Sequence, residues 1–151
     1  ALAYAGESAP TAALAQTESW NGSSWTEVAD LSTARNQVGS AGADNLSALA
    51  FGGTPPIGAA TEEWNGATAV GAWSSGGDLN VAKTGVGNAG TQTAALGMGG
   101  IVSGTAVTSN ESYNGSTWTE IADLNTGANS FGSNGTQKSA LDYEGKNTPQ
   151  Q

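Results

Sequence analysis

Three carboxylates stand at matching places in the chain, each two residues before an aromatic that Asn-Gly follows. They are Glu18 in Glu18-Ser19-Trp20-Asn21-Gly22, Glu62 in Glu62-Glu63-Trp64-Asn65-Gly66, and Glu111 in Glu111-Ser112-Tyr113-Asn114-Gly115. Such a set could gather a cation, and a pair of carboxylates at working distance could cleave a sugar bond. Residues that recur in every unit of a repeat array usually maintain the unit, so turn fixing or solvation is the expected role, for Asp30, Asp78 and Asp123 as well. The adjacent Glu62 and Glu63 point to opposite faces of a strand and cannot flank one glycosidic bond. The chain has no His and no Cys. It therefore lacks the commonest general base, the commonest transition-metal ligand and any thiolate site. Arg35, the only arginine, and Lys83 occupy equivalent places and are expected to make an ion pair or backbone contact inside their units. No catalytic residue, no cofactor and no metal ligand is expected.

The elements that position these residues are written as a repeat. Ala48-Leu49-Ala50-Phe51-Gly52-Gly53 has counterparts starting at Ala1, Ala95 and Ala140, at offsets of 47, 47 and 45 residues. Leu and Phe alternate with Ala there, the period of a strand with one bulky and one small face. Next comes a strand that ends in an aromatic and Asn-Gly, for which a tight type I′ hairpin is expected. A return strand begins at a second aromatic: Trp25 follows Trp20, Trp118 follows Tyr113, and Trp73 follows Trp64 after a four-residue insertion within residues 67–72. A connection through Arg35, Lys83 or Gly127-Ala128 then leads into glycine-spaced strands beginning at Val38, Val86 and Phe131. Small residues there suit close packing where sheets converge.

Composition bounds the rest. Charged residues are 11% of the 151, against a usual figure of about 25%. The net charge of −9 comes from four cations against thirteen carboxylates, a surface that repels nucleic acid and anionic membrane. No apolar run approaches the roughly 18 residues of a membrane span.

Four short strands per unit, with no helix-period stretch between them, predict an all-β fold of four-stranded antiparallel blades. Basic residue, glycine-spaced strand, Gly-Gly-ended strand and paired aromatics around a turn, in that order, resemble the kelch repeat. That resemblance implies a kelch-like β-propeller whose ring is incomplete within this chain. Two departures are Trp-Asn or Tyr-Asn in place of the family's Tyr-Asp, and no basic residue in the last unit. The expected organisation is an array over residues 1–145: a partial blade over 1–29, blades over 30–77 and 78–122, a partial capping blade over 123–145, and a tail over 146–151. Asp142 and Glu144 on one strand face suit a cap. Further blades are expected before Ala1 or from another copy, two copies supplying six. Kelch-like copper oxidases use Cys, Tyr and His ligands, and this chain has neither Cys nor His.

Residues that repeat in every unit should be structural: Trp20, Trp25, Trp64, Trp73, Tyr113 and Trp118 between blades, and Gly53 and Gly100 at strand ends. Recognition should fall to what does not repeat. Candidate partner-binding residues are Thr54, Pro55, Pro56 and Ile57 in one loop, Ala67, Thr68 and Val70 in the insertion, and Ile101, Val102 and Thr105 in a third. The resemblance extends to arrays of virion and bacterial surface proteins. It implies a non-enzymatic structural or interaction module, extracellular or on a virion, whose partners are other protein chains, further copies of itself included. A carbohydrate-binding adhesin is the alternative reading, with surface glycans stacked on the aromatics; a glycoside hydrolase is a weaker one.

Overall fold

The computed structural model describes residues 1–67, 70–130 and 132–143. All regular structure among them is strand. Strands β1 (Leu2–Tyr4), β2 (Glu7–Ser8), β3 (Ala12–Ala13), β4 (Thr17–Trp20) and β5 (Trp25–Val28) come first. They are followed by β6 (Gly39–Asp44), β7 (Ser47–Phe51), β8 (Thr61–Asn65) and β9 (Ala72–Ser75). A third group holds β10 (Gly87–Thr91), β11 (Ala94–Met98), β12 (Ile101–Val102), β13 (Thr105–Ala106), β14 (Asn110–Tyr113) and β15 (Trp118–Ile121). Last come β16 (Gly132–Thr136) and β17 (Ser139–Tyr143).

The main strands pair antiparallel into sheet I (β1-β4-β5), sheet II (β6-β7-β8-β9), sheet III (β10-β11-β14-β15) and hairpin IV (β16-β17). The all-β, antiparallel expectation is met, with two complete four-stranded sheets and no closed barrel among the described residues. The four Ala-Leu copies form β1, β7, β11 and β17, the same position in each unit. Neighbouring β6, β10 and β16, the glycine-spaced strands, lie side by side from one sheet to the next.

Alternation of bulky and small residues explains how the sheets interlock. Leu49 and Phe51 project from one face of β7 and are fully buried with Val86, Ala95, Tyr113 and Trp118 of sheet III. Opposite Phe51 stands Gly97, where an added Cβ would come within 3.2 Å of the ring. The bulky face of one sheet thus meets the small face of the next, and burial of these rings in close contact is a main source of cohesion. Inside sheet II, Gly39 makes room for Phe51, since a Cβ there would lie 2.3 Å from the ring.

The Asn-Gly hairpins differ from the two-residue type I′ turn. Trp20 pairs with Trp25 and Tyr113 with Trp118, which leaves four-residue loops. In each loop the Asn carboxamide oxygen accepts backbone N–H bonds two and three residues ahead, from Ser23 and Ser24 to Asn21 and from Ser116 and Thr117 to Asn114. The Asn side chain supplies this acceptor, and only the glycine takes positive φ. In the middle unit Asn65 ends β8, its carboxamide oxygen accepts the Ala67 N–H, and Gly66 donates to the Leu46 carbonyl.

Candidate functional site

The carboxylates that recur once per unit meet different fates. Glu62 is buried, with Oε1 2.8 Å from Nη2 of Arg35 and Oε2 accepting the Ser32 N–H at 2.9 Å. Nη1 of Arg35 donates to the Gly52 and Ala60 carbonyls. Sheet III repeats the arrangement: Lys83, 0% exposed, lies 3.1 Å from Glu111, whose Oε2 accepts the Asn80 N–H, and also donates to the Ser109 carbonyl. Arg35 ties the segment entering sheet II to the end of the second strand and the start of the third, and Lys83 ties its segment to the start of the third strand of sheet III. Buried charges persist only when paired and hydrogen-bonded, which is how these are held. Glu18 has the same register in sheet I, opposite Ala3 and Glu27, but is exposed, and neither ion pair involves it.

Glu62 and Glu63 diverge as neighbours on a strand must. Glu63 turns toward sheet III and accepts the Tyr113 hydroxyl at 2.5 Å. Burial, reinforced by that hydrogen bond and the Glu63 charge, pushes the Tyr113 phenol up to about 12. Tyr4, whose hydroxyl donates to the Leu49 carbonyl, is likewise pushed up to about 12 by burial. Among the described residues no group of three His, Cys, Asp or Glu side chains is placed to hold a metal ion.

The repeated aromatics bridge sheets. Trp73 packs edge-on against Tyr4 at 4.9 Å and its Nε1 donates to Thr17 Oγ1 of sheet I. Trp118 packs on Phe51 at 4.7 Å and donates in the same way to Thr61 Oγ1 of sheet II. Trp64 and Tyr113 are buried beside them, 5.5 and 5.0 Å from Trp73 and Trp118. Trp20 and Trp25 form the same pair at 5.4 Å, yet Trp25 is 48% exposed.

Gly53 and Gly100, at φ of 101° and 107°, donate their N–H groups to the Lys83 and Ala128 carbonyls, and Gly6 donates to Arg35. This bond recurs between each unit and the next. It spans the end of the molecule that carries the connections over residues 5–16, 52–60 and 99–109. Thr54 lies there, bridged to Asn36, with Pro55, Pro56 and Ile57 exposed beyond it. Ile101, Val102 and Thr105, read as a loop, instead build the hairpin β12–β13, and β2–β3 is its counterpart in the first unit. Strand order puts residues 67 and 70–72 of the insertion at the opposite end, beside the 45–46 turn. Trp64 Nε1 donates to the Asn45 carbonyl there, Gly71 lies against the Trp64 ring, and Val70 is exposed. Ala67 is exposed at its start, and Thr68 lies outside the described residues. The candidate loops therefore divide between two ends.

Sequence reasoning did not find a concavity of about 670 Å³ whose walls include β1, β6, β10 and β16. Its signal was present in the glycine-spaced strands, which line it.

No family model and no curated protein matches the chain. Among solved structures the chain is similar to that of YjhT, with a TM-score of 0.76 at 12% identity over 89% of this chain. It spans 46% of that protein's length, and at this identity the likeness is one of fold.

Proposed function

We propose that this chain is a kelch-like propeller segment and a non-enzymatic interaction module, built to stack on further sheet units. It would serve in a virion or cell-surface appendage, with other protein chains, copies of itself included, as partners. The observation that carries this reading is the state of its two end faces. Trp25 is 48% exposed, although Trp73 and Trp118 at the same position pack on the preceding sheet. At the far end Leu141 and Tyr143 are 67% and 52% exposed, while their counterparts Leu49 and Phe51 are completely buried by the next sheet. Bare aromatic and aliphatic faces of this kind mark contact surfaces. The polar, lysine-poor composition and the connections gathered at one end suit a displayed scaffold. Glu62 and Glu111 are committed to structural ion pairs, which supports a non-catalytic role.

Sedimentation tests this. The wild-type chain should self-associate or join its neighbours through these faces, and Trp25→Ser or Tyr143→Ser should abolish that. A 14.9 kDa monomer at every concentration in native material would overturn it. A glycan-binding reading draws on one observation, the open Trp25 indole. Trp64 is buried and unsuited to stacking on a sugar.

A further inference from the structure

The chain contains four Asn-Gly steps, at Asn21, Asn65, Asn114 and Asn134, and the fold holds them in two different ways. At such a step the glycine nitrogen can close on the Asn carboxamide carbon, because no side chain on the glycine obstructs the approach. The five-membered ring that results needs this nitrogen turned toward the Asn side chain. In a strand, ψ of about +135° turns it away. Asn65 ends β8, paired with Ser47 and Ala72, and Asn134 lies inside β16 opposite Leu141. The nitrogen of Gly66 is engaged besides, donating to the Leu46 carbonyl at 2.9 Å. Both steps must leave their ladders before they can react.

Asn21 and Asn114 are placed otherwise. Each opens the exposed four-residue loop that follows β4 or β14, outside the strands. Three donors converge on Oδ1 of Asn21: the Ser23 N–H at 2.9 Å, the Ser23 hydroxyl at 3.0 Å and the Ser24 N–H at 3.0 Å. Oδ1 of Asn114 receives the Ser116 N–H at 3.0 Å, the Thr117 N–H at 2.9 Å and the Thr117 hydroxyl at 3.4 Å. Donors aimed at this oxygen draw electron density from Cγ and stabilise the negative charge that the oxygen takes up when a nucleophile adds.

We propose that Asn21 and Asn114 are modification sites, deamidating spontaneously through a succinimide, and that strand structure protects Asn65 and Asn134. The Gly22 or Gly115 nitrogen gives up its proton to solvent base and bonds to Cγ of the Asn before it. The bond from Cγ to Nδ2 then breaks, and that nitrogen takes a proton and leaves as ammonia. Water next adds to either ring carbonyl and opens one ring C–N bond, which yields aspartate or isoaspartate. Water is the only co-reactant. Each event adds a negative charge to a chain already at −9, at the end of the molecule that carries the 45–46 turn. The isoaspartyl product also lengthens the backbone of the loop between the paired Trp20 and Trp25, or Tyr113 and Trp118. The chemistry holds whether or not further sheets stack on this chain.

The test holds the whole folded chain in mildly alkaline buffer, samples it over time, and reads amide-to-acid conversion at each Asn by peptide mapping with mass spectrometry. Asn21 and Asn114 should convert at least about tenfold faster than Asn65 and Asn134, with isoaspartate among the products. Equal rates at the four steps, or conversion led by Asn65 or Asn134, overturn the assignment. The same chain in concentrated urea should convert all four alike. A difference that persists there lies in local sequence and overturns the role given to the fold. Ser23→Ala removes one donor from Asn21 Oδ1 and should slow that site severalfold while Asn114 keeps its rate. An unchanged rate at Asn21 overturns activation by the donors.

Discussion

Arg35 shows what a single side chain holds in place. Its guanidinium joins Glu62 to two backbone carbonyls in a buried setting, so Arg35→Ala leaves a buried carboxylate without its cation. The expected loss is about 3–5 kcal/mol by denaturant unfolding. The double replacement Arg35→Met with Glu62→Leu should recover most of it, because the desolvation of both charges disappears with the pair. Lys83→Ala should behave in the same way in sheet III. Tyr4 and Tyr113 make a second residue-scale prediction. Both phenols have folded-state values raised from 10.0 to about 12, so the folded protein holds their protons where the unfolded chain releases them. Their contribution is complete below pH 10 and is lost as pH rises through about 12. Stability measured across that window should fall with pH, and Tyr113→Phe should flatten the fall. The basic position and its carboxylates were legible as repeated residues. That Glu18 is exposed while Glu62 and Glu111 are buried was not legible, since similar local sequence does not say which copy is covered.

At the scale of elements, the recurrent glycine bond links successive units. Gly53→Ala places a Cβ at positive φ and 2.8 Å from the Asn36 carbonyl, adding a clash to backbone strain. Gly104→Ala, at φ of 80° with nothing within 4 Å, incurs strain alone. The first should cost clearly more than the roughly 1–2 kcal/mol of a left-handed residue, and the second about that much, by thermal or urea unfolding. Strand identity and order were readable from the alternation in Leu49-Ala50-Phe51 and its copies. The Asn21 and Asn114 turns were misjudged because Asn-Gly fits either a type I′ turn or a side-chain-capped loop of four. Loop length is fixed by the pairing of Trp20 with Trp25, a tertiary fact. Residues 101–108 were read as a loop for a related reason: two-residue strands are too short to carry a period.

For the whole molecule, the decisive contacts join one sheet to the next. Trp118→Ala removes an indole packed on Phe51 and its hydrogen bond to Thr61, and should cost about 3–5 kcal/mol. Trp25→Ala, at the exposed counterpart, should leave the stability of the dilute chain nearly unchanged while weakening association. Equal losses at both positions in the unfolding midpoint would contradict the asymmetry between inner and end sheets. The candidate loops also divide at this scale, with residues 54–57 and 101–105 at one end and Val70 at the other. A partner contacting both sets would have to reach around the molecule.

The sequence by itself determined the repeating unit, its strand content and the residues that recur, because those follow from periodicity and side-chain size within some fifty residues. Only the tertiary structure decided which copies are buried and which are bare, since that depends on a neighbouring sheet being present. Trp73 and Trp25 occupy the same place in their units, and what separates them is whether a Tyr4 lies in front.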